Sequence, residues 1–181
     1  MKYSWNKPVI FPVLLGLFLL TKIVFPQDSI IPPVESQFDF WIGKWNTEWT
    51  KADKSIGRGI TMVRYKKGEH GMLVKEKFFI EQGDKFPVRS ISQYSPRTKK
   101  WHQGWKENMG EYIETYWMEG EFNEGKMILL TPLGMKTAPN VVYRMTFYDI
   151  TKNSFNRVWE ISKDKGTNWK LVWRMTYSRI K

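Results

Sequence analysis

Hydrophobic and polar positions alternate with a period of two along most of the chain after residue 44, and the pattern is cleanest in the last segment. There Trp169, Leu171, Trp173, Met175 and Tyr177 alternate with Lys170, Val172, Arg174, Thr176 and Ser178. A period of two turns successive side chains to opposite faces of a strand, so the segment predicts one inward apolar face. Carried one step further, the alternation puts Arg179 on that face, where a charge needs a partner. Val141, Tyr143, Met145 and Phe147 alternate in the same way with Val142, Arg144, Thr146 and Tyr148. The pattern predicts strands at 45–52, 57–66, 71–81, 86–95, 99–107, 111–121, 126–132, 140–149, 153–162 and 167–179. Short turn signals separate most of them, among them Gln82-Gly83-Asp84, Asn123-Glu124-Gly125 and Asp164-Lys165-Gly166. None of these connections has room for a crossover helix, so sequential strands pair with their neighbours. A meander of about ten strands curls, splits or closes, and closure removes both edges. The predicted fold is all-β: an antiparallel up-and-down β-barrel of about ten strands.

Ahead of the first strand stands Phe38-Asp39-Phe40-Trp41-Ile42-Gly43-Lys44-Trp45. Three aromatic rings and an isoleucine within the five residues 38–42 predict a plug docked on the barrel, since burying each such side chain is worth about 1.5–3 kcal/mol. Ser36 and Asp39 have the spacing of a capping box, which predicts a short helical turn through Phe40 and Trp41. Gly43 then lets the backbone swing into the strand.

The first 27 residues differ in kind. Lys2 and Lys7 precede an uncharged run from Pro8 to Thr21, followed by Lys22. The run is short for a membrane span of about 20 residues and matches the apolar region of a secretory signal. Val24-Phe25-Pro26-Gln27 lacks a small-residue cleavage site, so an uncleaved N-terminal anchor stands as the alternative. The expected organisation is therefore residues 1–27 as signal peptide or anchor and 28–181 as a single β-barrel domain, exported to the periplasm or beyond. Taking three lysines and no acid from a net charge of +11 leaves +8. Such a domain is drawn to anionic surfaces, a membrane among them. Lys75 and Lys77, Lys99 and Lys100, and Lys163 and Lys165 belong to different segments, which reads as a solvated outer face rather than a specific nucleic-acid track. The chain has no cysteine, so it offers neither disulfides nor a thiolate metal site.

Candidate chemistry is confined to a few positions. Trp101, Gln103 and Trp105 share one face of their strand and His102 takes the other. Facing inward, Gln103 is a polar group in an aromatic wall, suited to the polar end of an amphipathic ligand; the competing reading has it bonded to a neighbouring strand. Glu76 interrupts the apolar series of Met72, Val74, Phe78 and Ile80, and Arg157 lies between Phe155 and Trp159. Turned inward, either charge requires a partner, water or a ligand. Tyr143, Trp159 and Trp173 extend the wall, and the connection 132–140 predicts a shaped loop in which Leu133 and Met135 either gate the mouth or pack on its rim. His70 and His102 have no accompanying metal ligands, and no nucleophile elbow, phosphate loop or dinucleotide fingerprint is present.

Gly43-x-Trp45 at the first strand, the meander and the arginine at its close resemble the calycin superfamily of lipocalins and fatty-acid-binding proteins. The chain is more closely similar to the bacterial family DUF1579, on Phe38 through Trp45, on Tyr94-Ser95-Pro96-Arg97-Thr98-Lys99-Lys100-Trp101, and on Ser154-Phe155 through Ser162 to Trp169. The resemblance covers nearly everything after residue 36. It implies a calycin-like barrel with Arg179 stacked on Trp45, and it implies no activity. An inward arginine that holds a carboxylate is what the fatty-acid-binding proteins imply. The haem histidine of nitrobindin-type barrels has no counterpart after His102, so no cofactor is expected. The sequence thus points to non-catalytic binding of a small apolar or amphipathic molecule, with Glu76, Trp101, Gln103, Trp105, Tyr143, Arg157, Trp159 and Trp173 as ligand-binding residues. Two alternatives stand beside it: an envelope interaction module with a filled barrel and a basic exterior, and a pocket enzyme using Glu76 or His102.

Overall fold

The computed structural model describes residues 31–50, 53–68, 71–80, 88–109, 112–133 and 138–181, with the backbone alone at 66–68, 71–80, 88, 106–109 and 112–116. The segment read as a signal or anchor, 1–27, lies outside the described residues, as do His70 and Met135. The fold is all-β and antiparallel. Its strands are β1 Gly43–Thr50, β2 Ile56–Gly68, β3 Gly71–Ile80, β4 Val88–Ser95, β5 Lys100–Met109, β6 Tyr112–Asn123, β7 Lys126–Leu130, β8 Val142–Tyr148, β9 Ser154–Ser162 and β10 Lys170–Arg179. Each pairs with its sequence neighbour, and β10 also pairs with β1, Trp45 standing opposite Arg179. The sheet therefore curls, with a concave inner face and a solvent-facing outer one.

At one end sits the plug. Two 3-10 turns, Val34–Ser36 and Asp39–Trp41, carry Phe38 and Trp41 inward until both are completely buried. The expected capping box is absent: Ser36 donates to the Pro33 carbonyl, and Asp39 instead accepts from the Tyr65 hydroxyl. Burial, and after it the Asp39 carboxylate, push the Tyr65 hydroxyl pKa upward, so it stays a donor. Trp101 Nε1 donates to Gln37 Oε1 at 2.9 Å and Trp45 Nε1 to the Trp41 carbonyl at 2.9 Å. Arg179 lies 4.0 Å over the Trp45 ring and donates to the carbonyls of Phe40, Ile42 and Lys152. It thus satisfies backbone acceptors that the short turn leaves open. Gly43, at φ +138°, is required twice over: the conformation favours glycine, and a Cβ there would lie 2.4 Å from the Arg179 guanidinium.

The last strand departs from its predicted bounds. Residues 163–169 form a turn around Asp164, which accepts from the Ser162 hydroxyl and from both the backbone and side-chain amides of Asn168. A register shift between Leu171 and Trp173 then resets the alternation. Leu171 is consequently exposed, and Trp169 lies outside, with the Arg144 guanidinium 4.0 Å from its ring centre. The expectation that both face inward is corrected by this bulge.

The Asn168 amides and the Ser162 hydroxyl hold the Asp164 pKa at about 2, below its ordinary 3.8. A depressed carboxylate contributes stability that is complete above its unfolded pKa and is lost as pH falls through the folded one. Asp164→Asn is therefore expected to lower the thermal midpoint at neutral pH, with a gap to the parent that stays constant down to about pH 4 and closes toward pH 2. Melts across that range check this; a gap indifferent to pH would contradict it.

Candidate functional site

The inner face is mixed on one side, where Trp45, Trp49, Val63, Trp101 and Trp105 stand among polar groups, and aromatic and sulfur-rich on the other. On β1, β2, β4 and β5 it carries small or neutral polar groups, all buried: Thr47, Thr61, Ser90, Ser92 and Gln103. Thr47 and Thr61 share a hydrogen bond of 2.9 Å. Gln103 Nε2 donates to Ser92 Oγ at 2.8 Å, and Gln103 Oε1 accepts from Trp105 Nε1 at 2.6 Å. Gln103 thus follows the competing reading, bonded to a neighbouring strand, where it orients Trp105. On β8, β9 and β10 the same face is aromatic and sulfur-rich, with Tyr143, Met145, Phe147, Phe155, Trp159, Trp173, Met175 and Tyr177.

Arg157 is the charge within this wall, 4% exposed. Register places it between Phe147 of β8 and Met175 of β10. Its guanidinium carbon lies 5.1 Å from the ring centre of Trp105, 5.3 Å from Tyr177, 5.7 Å from Phe147 and 6.0 Å from Trp41, and Nη2 donates to Met175 Sδ. Guanidinium is weakly hydrated and planar, which makes it the cation best suited to such company. Nearby, Trp41 Nε1 is buried without an acceptor among the described residues.

Exposure of the inward side chains rises from the plug toward the opposite end. Trp45, Phe147, Phe155 and Tyr177 are buried; Arg157, Met145 and Met175 form the next layer; beyond it Trp49, Tyr143, Trp159 and Trp173 are only half-buried. The outer layer is in contact with itself, Trp49 on Trp173 at 5.9 Å and Tyr143 on Trp159 at 5.9 Å, while Trp159 reaches Trp105 at 5.2 Å.

Of the residues the sequence singles out, Trp105, Tyr143, Arg157, Trp159 and Trp173 come together around this end. Trp101 does not: it packs under the plug against Phe38 and Tyr94. Glu76 stands in register with the buried Val63 and Ser90, and its side chain lies outside those described. His102 is on the outer face, bonded to Thr98 at 2.9 Å and away from the inner wall. Leu133 is likewise outside, in a groove of about 520 Å³ floored by Ile128, Leu130 and Val142, with Trp169 as one wall and the Lys100–Glu119 pair at its edge. Their hydrogen bond raises the lysine pKa and lowers that of the carboxylate. Leu133 therefore belongs to an outer groove and not to the inner wall. Sequence reasoning missed Trp41, Thr47, Thr61, Ser90 and Ser92. The signal for the last two was an inverted alternation in β4, where Ile91 is exposed between two buried serines.

Among the described residues no group of three His, Cys, Asp or Glu is placed to hold a metal ion, and no helix is long and apolar enough to cross a membrane. In comparison with known proteins, no family model and no curated protein matches the chain.

Proposed function

We propose that the curled sheet works as a closed ten-strand barrel of the calycin kind that the DUF1579 resemblance implies, and that it binds a small amphipathic molecule inside without catalysing a reaction on it. The observation that carries this reading is the graded inner wall: half-buried Trp49, Tyr143, Trp159 and Trp173 lead from one end to Arg157, one layer down. An aromatic wall that rises toward solvent above a buried cation suits a ligand with an apolar body and a hydrogen-bond-accepting, preferably anionic, head. The head meets the Arg157 guanidinium, and the Trp41 N–H beside it, without an acceptor among the described residues, offers a further donor. The apolar body lies along Trp105, Trp159 and Trp173. Export of the protein, by the apolar run near its start, is part of the same reading.

Titration of the protein with matched acid and alcohol pairs, dodecanoate against dodecanol and retinoic acid against retinol, tests this through tryptophan fluorescence. Saturable quenching is expected, with the acid preferred by tenfold or more, the scale of one charge-assisted hydrogen bond of about 1.5–3 kcal/mol. Arg157→Met keeps the volume and removes the charge, so it should abolish that preference while leaving the alcohol bound. Failure of every acid and alcohol to bind would leave the side-chain-filled interaction module as the better account.

A further inference from the structure

The pairing registers assemble on the outer face what the sequence scatters. Because directly opposed residues share a face, each chain of partners across the sheet is a row on one side. One row runs Lys44, Met62, Lys77, Arg89, Lys106 from β1 to β5. The adjacent row runs Arg64, Lys75, Ile91, Gly104, Trp117 from β2 to β6. Together they hold six cations and no acid. Among the members whose side chains are described, Lys44, Arg64 and Arg89 are exposed, and so are three large apolar groups, Met62 at 42%, Ile91 at 45% and Trp117 at 62%. Gly104 makes room for this arrangement: the Trp117 ring lies against it, and a Cβ there would come within 3.0 Å. Arg97 lines the shallow recess beside the ring, with Tyr94 and His102.

We propose that this face of β1–β6 docks on the surface of an anionic lipid bilayer. Two independent features select that partner. The cations complement acidic headgroups, each worth about 1 kcal/mol near such a surface. Trp, Ile and Met standing among them match the layer just beneath the headgroups, where amphipathic Trp in particular concentrates. Single exposed apolar groups are ordinary, but Ile91 and Trp117 flank the side-chain-less Gly104 in one row and so form a patch among the cations. The inference stands apart from interior binding, since the rows lie on the opposite side of the sheet.

The test reads the contact made by the face itself. The full chain is mixed with vesicles of phosphatidylcholine alone or with about 30% phosphatidylglycerol, carrying brominated acyl chains, the anionic fraction being chosen to give a strong surface potential. The share of quenching due to Trp117 is the difference between the parent and Trp117→Phe. A chain held to the vesicle only by its apolar first residues does not produce that share. We expect it with the anionic vesicles, not with neutral ones, and its loss at high salt. Arg64→Gln with Arg89→Gln should raise the lipid concentration for half-maximal quenching about 25-fold, at about fivefold for each cation removed. Lys170→Gln with Arg174→Gln, the same charge change on β10, should leave it within about twofold. The proposal is overturned if Trp117 is not quenched by anionic vesicles or if the β10 pair has the same effect. It is overturned equally if a single-stranded DNA oligonucleotide binds more tightly than the vesicles and shields Trp117, which would make the face a nucleic-acid surface.

Discussion

Replacing Trp45 by alanine is expected to lower the unfolding free energy by about 3–5 kcal/mol, the range for truncating a fully buried large aromatic. Three separate losses coincide at this residue. Its ring is completely buried and meets Phe155 edge-on at 4.9 Å. Its indole N–H satisfies the Trp41 carbonyl, which the short 3-10 turn leaves without an intrahelical donor. Its face supports Arg179, which donates to the Phe40 and Ile42 carbonyls and so ties the plug to the end of β10, with a third hydrogen bond to Lys152. Trp45→Phe keeps most of the ring area but neither the N–H donor nor the full face under the guanidinium, and it should fall between parent and alanine variant. Urea unfolding followed by circular dichroism gives the comparison. An unchanged midpoint for Trp45→Ala would mean that the plug and Arg179 are held without it.

The second large effect is expected from a single methyl group. A Cβ at Gly120 would lie 1.8 Å from the Ile128 carbonyl oxygen and under 3 Å from further backbone of β7. Backbone in a paired strand cannot rotate away as a side chain can, so β6 and β7 must separate, and Gly120→Ala should cost about 3 kcal/mol, the upper part of the overpacking range. Gly104→Ala is the contrasting case. Its Cβ meets the exposed Trp117 ring, which is free to swing, so the loss should stay within about 0.5 kcal/mol. Equal losses at the two glycines would show that closeness to backbone is not what governs the cost.

Much of the architecture was legible because burial on one side of a strand leaves a period of two in the sequence. The strand series, the plug and the hairpin turns within the described residues follow from patterns a few residues long, whereas the stacking of Arg179 on Trp45 was implied by the calycin resemblance and not by any local pattern. What was not legible depends on distance or on local irregularity. A bulge between Leu171 and Trp173 changes which residues face inward without changing composition, so Trp169 and Leu171 were assigned to the wrong side. Ser90 and Ser92 were missed because hydrophobicity is a poor guide to facing where the inner wall is itself polar. Gln103 was visible as an inward amide, but its partner Ser92 was not, since that bond depends on the register of β4 against β5. The same holds for the basic rows: Arg64, Lys75 and Arg89 look dispersed along the chain, and only two successive registers bring them together.

The pairing of β1 with β10 also orders events in time. β1 finds β2 as soon as the next hairpin has been synthesised, but its other edge waits for residues 170–179, and the hydrogen bonds from Arg179 to Ile42 and Phe40 span 137 and 139 residues of chain. Contacts of such sequence separation are slow to form, because a long loop must close before any of their energy is gained. A nascent chain thus keeps an unsatisfied strand edge and an undocked plug until residues 170–179 have been made. The last edge to close is the one that β10 brings, and any step that delivers the chain elsewhere before that moment handles the sheet in an unlocked state.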